Sequence, residues 1–317
     1  MKIVMLEPLG VERQVIMDRA QPLIDEGHEF IYCGAPLDEK EKIERAKGAD
    51  AFIIANKPLT ADVINAAENL QMISVGFTGI DHIDIDTCRE KNVTVCNAQG
   101  YATNATGELA IGLMLACLRN IVPYTQIAKD GGTLAGYKHN TLMGKTVGIV
   151  GTGAIGRKTA QLAKAFGCEL LGYSRSENAE AKEIGIKYVS LKELFAQSDI
   201  VSLHAPLTEE TAKLVSKDLI DSMKKSAILI NCARGGLVDS RALADALNEG
   251  RIAAAGIDVF ETEPPIEASH PLLNAKNVAL TPHVGFYSEE SLSERVGIVF
   301  DNIDAWLKGE PINVVAQ

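Results

Sequence analysis

The chain has no apolar run long enough to cross a bilayer, no excess of positive charge, and no repeated or low-complexity tract. Each absence removes a class of function. The most apolar stretch, Leu109 to Leu118, falls short of the roughly 20 residues a spanning helix needs, so no membrane partner is expected. At the N-terminus, Ile3-Val4-Met5-Leu6 runs at once into Glu7-Pro8 and reads as a short buried strand. A secretory signal needs a longer apolar region and a small-residue cleavage site. The net charge is −11 with a pI near 5.1, and lysine and arginine are scattered. Phosphate backbones are gripped by clustered positive charge, so nucleic acid is not an expected partner either. The six cysteines (Cys33, Cys88, Cys96, Cys117, Cys168, Cys232) show no metal-ligand spacing. Nor do the six histidines (His28, His82, His139, His204, His270, His283), and no metal is expected. The thiols read as reduced and mostly buried, as in a cytoplasmic protein.

What is present is an ordinary globular composition, 46% hydrophobic and 23% charged over 317 residues, long enough for two domains. Short β-branched runs alternate with helical patterns, which predicts parallel sheets covered by helices, an α/β fold. Strands are expected at Lys2–Leu6, Phe30–Cys33, Ala51–Ile54, Met72–Val75 and Val93–Cys96 in the first third. A second series follows at Thr146–Val150, Glu169–Tyr173, Ile200–Leu203, Ala227–Asn231, Ala253–Val259 and Val278–Thr281. Thr60 is placed to cap a helix over Thr60–Ala67. Asn104–Arg119 forms a long helix, and Ser288 caps another of about 20 residues that stops before Gly309 and Pro311.

Gly151-Thr152-Gly153-Ala154-Ile155-Gly156 sits between the strand Thr146–Val150 and a helical pattern Ala154–Phe166. A three-glycine pattern alone describes any tight turn, but strand before and helix after are the context of a dinucleotide site. Gly151 permits the turn, Gly153 the approach of a pyrophosphate, and Gly156 close helix–strand packing. The helix N-terminus then turns unpaired N–H groups toward the phosphates. The next strand ends in Ser174-Arg175-Ser176, without the acid that takes the ribose hydroxyls of NAD. Arg175 can pair with a 2′-phosphate, and Ser174 and Ser176 can donate to it. NADP is therefore the expected cofactor, with NAD the alternative if Arg175 is only a solvated side chain.

Three later strands of the second series end in residues suited to acid–base and anion chemistry. Ala227–Asn231 leads into Cys232-Ala233-Arg234-Gly235-Gly236, Ala253–Val259 into Phe260-Glu261-Thr262-Glu263-Pro264, and Val278–Thr281 into Pro282-His283-Val284-Gly285. Ligands of open α/β sheets bind at such carboxyl ends. These stretches, with Gly151–Gly156 and in this order, resemble the D-isomer-specific 2-hydroxyacid dehydrogenase family across nearly the whole chain. The resemblance implies two domains with parallel sheets, flavodoxin-like and Rossmann-like. Residues 1–99 plus 287–317 form the substrate-binding domain, residues 100–286 the dinucleotide domain, and the substrate lies in a cleft between them.

The family's chemistry assigns His283 as the acid/base and Glu263 as the carboxylate that favours its protonated form. Arg234 binds the substrate carboxylate and polarises its carbonyl. Val75 and Gly76 open a loop through Phe77-Thr78-Gly79 that offers backbone N–H groups to the same carboxylate. Asp258 accepts from the nicotinamide amide, Thr106 touches the cofactor, and Cys232, Ala233, Pro206, Thr211 and Gly285 line it. His204 is a further cofactor-lining position, or simply a residue packed at a strand–loop junction. Tyr101, in the loop Gln99–Asn104, helps set substrate size.

Departures from the family's branches narrow the substrate. Formate dehydrogenases carry glutamine at the Glu263 position and phosphite dehydrogenase a lysine at the Thr78 position. 3-Phosphoglycerate dehydrogenases often have arginine at the Val75 position, and some carry a long C-terminal extension. The expectation is an NAD(P)-dependent enzyme acting on a small D-2-hydroxy or 2-keto acid, with glyoxylate or hydroxypyruvate reduction first and 3-phosphoglycerate second. A homodimer is implied. The competing class is a nucleotide-sensing binding protein of the same fold.

Overall fold

The computed structural model describes residues 1–134, 136–262 and 265–317. Its strands are β1 (Lys2–Met5), β2 (Glu29–Ile31), β3 (Ala51–Ile54), β4 (Met72–Val75), β5 (Thr94–Asn97), β6 (Thr146–Val150), β7 (Glu169–Tyr173), β8 (Lys187–Tyr188), β9 (Ile200–Leu203), β10 (Ile228–Asn231), β11 (Ala254–Ile257), β12 (Val278–Leu280) and β13 (Val314–Ala316). The chain divides into two compact units, Met1–Ala102 with Tyr287–Gln317, and Thr103–Phe286. The first division falls at Ala102 rather than at residue 99 because Tyr101 is buried in the first unit, its ring 6.0 Å from that of Phe77.

In the first unit the strand order is β13-β5-β4-β3-β1-β2, parallel except for β13. This is the flavodoxin-like order with one antiparallel edge strand added. Sequence patterning did not foresee β13. Three residues are too few to show a period, and the strand exists through its pairing with β5, Val314 opposite Cys96 and Ala316 opposite Val95.

The second unit is a seven-stranded sheet, β12-β11-β10-β9-β6-β7-β8, parallel throughout. Both faces are buried, and the strands show why. Val147 and Ile149 of β6 face one apolar cluster with Met114, Ala160 and Ala163, while Val150 faces the other with Leu194, Phe195 and Leu243. Ile228 and Ile230 of β10 join the first cluster and Leu229 the second. The period of two explains why these strands read as continuous apolar runs. Strand order reverses between β6 and β9, the crevice where doubly wound sheets bind ligands.

The helix Thr103–Arg119 lies on one face of this sheet and ends at Asn120, whose φ of +52° turns the chain by 60° into the helix Ile121–Lys129. No single helix among the described residues is long and apolar enough to cross a membrane. Thr60 does precede its helix, Ala61–Ala66, but its hydroxyl goes to Glu39 Oε1 at 2.7 Å instead of capping. Ser288 caps the helix Glu289–Leu307 by accepting from the Ser291 N–H at 3.1 Å. Ser288→Ala should lower stability by about 1 kcal/mol, read as a shift in the urea midpoint at unchanged m-value.

Candidate functional site

The loop after β6 makes the tight turn its glycines allow. Gly151 has φ +94°, and its N–H donates to the Tyr173 carbonyl at 2.8 Å. A Cβ on it would stand 2.7 Å from the His204 backbone, and one on Gly156 only 2.0 Å from the Gly151 carbonyl oxygen. Gly153 differs. A Cβ there would meet nothing within 4 Å, because it would project into the open space over the first turn of the helix Ala154–Ala165. That turn's N–H groups have no carbonyl within the helix to take them. The turn therefore fits the pyrophosphate of a dinucleotide, and Gly151, Thr152, Gly153, Ala154, Ile155 and Gly156 would hold it.

Thr152 is buried, with its hydroxyl 2.7 Å from that of Tyr188, and the Tyr188 oxygen accepts from the Asn178 N–H at 2.9 Å. The loop Ser174-Arg175-Ser176 is thereby tethered to the glycine turn. Arg175 is 79% exposed and pairs at 3.7 Å with Glu210. The corner that lacks an acid on its own strand thus receives one from the loop after β9. Nothing local in the sequence marks Glu210. Thr211 shapes that loop, donating to the Pro206 carbonyl at 2.7 Å and accepting from the Thr208 N–H at 2.7 Å. Its hydroxyl serves the loop first.

His204 continues β9 at the switch point, its N–H donating to the Val150 carbonyl at 2.7 Å. Nε2 lies 2.9 Å from the Ser202 hydroxyl, whereas the buried Nδ1 has no hydrogen-bond partner among the described residues. Burial pulls its pKa down to about 4, so the imidazole is neutral at pH 7. A buried nitrogen left open beside the glycine turn is an atom a bound cofactor can satisfy.

Three loops follow along the same edge. At the end of β10 the buried Asn231 accepts from the Ala233 N–H at 3.0 Å and donates to the Arg234 carbonyl at 2.9 Å. This bridge shapes the turn Asn231-Cys232-Ala233-Arg234 and leaves Arg234 half-buried, with Nη1 2.9 Å from the Ala233 carbonyl. Gly235 is obligatory, since a Cβ would fall 1.9 Å from the Phe260 carbonyl carbon of the next loop. The Cys232 thiol is buried and driven well above its ordinary pKa by burial and by the nearby Asp258 carboxylate.

Asp258, after β11, is 1% exposed. Its Oδ1 accepts from the Thr281 hydroxyl at 2.6 Å and the Val284 N–H at 2.9 Å, its Oδ2 from the Gly285 N–H at 2.9 Å. Its carbonyl takes the His283 N–H at 2.7 Å. His283 sits at φ +56°, a conformation that strains any residue with a Cβ, and its ring meets Phe286 edge-on at 5.4 Å. The buried Thr106 donates to the Gly285 carbonyl at 3.1 Å. Asp258 and Thr106, expected as cofactor contacts, thus first build the corner that carries His283. Sequence reasoning missed this role because its partners lie more than 20 residues away. Glu263 and Pro264 lie outside the described residues. The ends of that loop are joined by His270 and Glu261 at 2.7 Å. Among the described residues no cluster of three His, Cys, Asp or Glu side chains could hold a metal ion.

In the first unit the carboxyl edge carries the expected loop Val75–Gly79 after β4. Val75 is buried in the strand, and the Gly76 N–H is already donated to the Ile54 carbonyl at 2.8 Å. The donors open to an anion are further on. Among the described residues the N–H groups of Thr78 and Gly79 meet no backbone carbonyl, and Thr78 is exposed.

Sheet order and glycine turn together define a dinucleotide-binding α/β protein. The family profile described as "D-isomer specific 2-hydroxyacid dehydrogenase, NAD binding domain" matches residues 111–285. A glyoxylate reductase of Korarchaeum cryptofilum is 40% identical over 89% of this chain and 87% of its own. A D-3-phosphoglycerate dehydrogenase of Methanocaldococcus jannaschii is 41% identical over 86% of this chain but 53% of its own. Among solved structures, an acyclic imino acid reductase in complex with NADPH and D-Arg superposes with a TM-score of 0.89 at 28% identity, over 99% of this chain and 100% of that one. The chain belongs to the D-isomer-specific 2-hydroxyacid dehydrogenase family. It is an oxidoreductase that works with a nicotinamide cofactor.

His204 makes one prediction independent of substrate. The unfolded chain protonates it near its ordinary 6.5 and the folded one only near 4, so the unfolded state holds more protons in between. Its contribution to stability is therefore complete above that window and lost as pH falls through it. In His204→Asn the decline of melting temperature between pH 6.5 and 4 should be shallower than in the wild type.

Proposed function

We propose that the protein reduces a small 2-keto acid, glyoxylate or hydroxypyruvate first, with NADPH preferred over NADH. The observation that carries the reading is the set of groups on one sheet edge. Arg234, the Asp258-held His283 corner and the glycine turn all stand at carboxyl ends of the second unit's strands.

When bound, the nicotinamide supplies or takes the hydride. The rest is done by side chains. The Arg234 guanidinium grips the substrate carboxylate and leans on the carbonyl oxygen, where negative charge grows as the carbon is reduced. The protonated imidazole of His283 gives its ring proton to that oxygen, and in the reverse direction the neutral ring takes it back. Glu263 favours the protonated ring in this scheme. The loop Val75–Gly79 offers backbone N–H groups to the carboxylate, those of Thr78 and Gly79 at its exposed end. Ser174, Arg175 and Ser176 receive the 2′-phosphate, for which Arg175 must exchange Glu210. Cys232, Ala233, Pro206, Thr211 and Gly285 line the cofactor.

The small substrate is supported by the absence of a cation at Val75 for a substrate phosphate, and by the glyoxylate reductase relative. The protein acts as a homodimer in this reading. Ile121, Val122, Leu134, Tyr137 and Met143 expose apolar side chains within one stretch of the second unit, which a second copy would cover. Sedimentation should give twice the 34.0 kDa chain mass, and Val122→Glu should shift the chain toward monomer.

The central test follows nicotinamide absorbance with NADPH and NADH over glyoxylate, hydroxypyruvate, pyruvate, bulkier 2-keto acids and 3-phosphohydroxypyruvate. NADPH with glyoxylate or hydroxypyruvate should give the highest kcat/KM. NADH with the phosphorylated acid would overturn both the Arg175 and the Val75 arguments. Cofactor binding with no turnover of any acid would favour the sensor class. Arg234→Ala and His283→Ala should each lower kcat/KM by ~10²-fold or more, with NADPH dissociation constants little changed.

A further inference from the structure

At the carboxyl edge of the first unit, one cation gathers the loops that follow β1, β4 and β5. Arg295, from the helix Glu289–Leu307, is 3% exposed. Its Nη2 donates to the Leu9 carbonyl, and its Nη1 lies 3.5 Å from the Gly76 carbonyl oxygen. The guanidinium carbon is 5.5 Å from the Phe77 ring centre and 5.7 Å from that of Tyr101. Gly76 has no side chain because a Cβ would stand 2.9 Å from Leu9 and 3.5 Å from the Arg295 methylene. From the other side Asn97 donates to the Thr78 carbonyl at 2.7 Å. The turn bearing the open N–H groups of Thr78 and Gly79 is held between these two side chains.

We propose that Arg295 is a positioning residue for substrate: it aims the Thr78 and Gly79 N–H groups and lends the turn a fixed positive charge that favours a carboxylate. A guanidinium suits the place. Its planar fork reaches two carbonyls while its faces lie against two rings, which a lysine ammonium cannot do together. Burial leaves its charge poorly screened by solvent ions. The inference rests on the keto-acid reading in so far as the anion is substrate, but its geometry is independent of turnover.

The experiment compares wild type with Arg295→Met and Arg295→Lys. In steady-state reduction, Arg295→Met should raise the KM for the keto acid ~10-fold, about 1.4 kcal/mol, while kcat and the NADPH dissociation constant change little. Arg295→Lys, which restores charge without the fork, should recover part of the KM. In parallel, amide NMR follows Thr78 and Gly79 as oxamate, a planar anionic isostere of a 2-keto acid, is titrated with and without NADPH. Both amides should shift in the wild type, and the shifts should be weaker in Arg295→Lys and weakest in Arg295→Met. If the wild-type amides shift, and shift less in the variants, but no acid is turned over, the function proposed above fails and the role of Arg295 stands. Wild-type amides that ignore oxamate, or undiminished shifts in both variants, overturn the role. A loss confined to kcat would do the same.

Discussion

The second unit's edge depends on how one buried carboxylate is satisfied. A carboxyl group buried as deeply as that of Asp258 is costly unless its oxygens find donors, and three donors from a single short stretch supply them, Thr281, Val284 and Gly285. Bonds of that kind contribute roughly 1.5–3 kcal/mol each. They are enough to hold His283 at φ +56°, a backbone state that costs about 1–3 kcal/mol. Thr106 adds a clamp on the Gly285 carbonyl from a helix lying on the sheet's face. The imidazole is thus carried on a corner with little freedom to turn, which the acid/base role proposed for it would require.

A second constraint is backbone closeness. Gly151 lies against the His204 peptide and Gly235 against Phe260 and Glu261, at distances no other residue could meet. Loops from neighbouring strands are therefore braced against each other rather than free in solvent. The sheet beneath is buried on both faces, so the loops stand on a foundation that moves little. Rigid strands with chemistry at their ends are the arrangement that allows preorganised electrostatics.

In the reading proposed above, the two units would meet anions by different physics. The second has helix N–H groups at its glycine turn and an exposed Arg175 paired with Glu210. The first offers backbone N–H groups backed by a buried guanidinium. The exposed pair contributes little to stability because water and salt screen it. The buried one is part of the fold itself, tying Leu9, Gly76, Phe77 and Tyr101 into one edge.

Much of this was legible in the residues alone. The alternation of β-branched runs and helical patterns determined α/β class and most strands, with Ala51–Ile54, Met72–Val75, Thr146–Val150, Glu169–Tyr173 and Ile200–Leu203 at their observed bounds. Ser288 marked its helix start, and Gly151 to Gly156 marked the turn. These signals are local: dihedral freedom, capping and periodicity act over a few residues and leave their trace in the spelling. What only the tertiary structure decided is which groups are already spent. The Gly76 N–H is taken by Ile54, the Thr211 hydroxyl by its own loop, and the Asp258 carboxylate by the His283 corner. It also brought Glu210 to Arg175, left His204 Nδ1 without a partner among the described residues, and added β13 to the first sheet. Nearly all of these are pairings between residues distant in sequence, set by strand order and register, and no residue's own chemistry announces which distant partner the fold will bring to it.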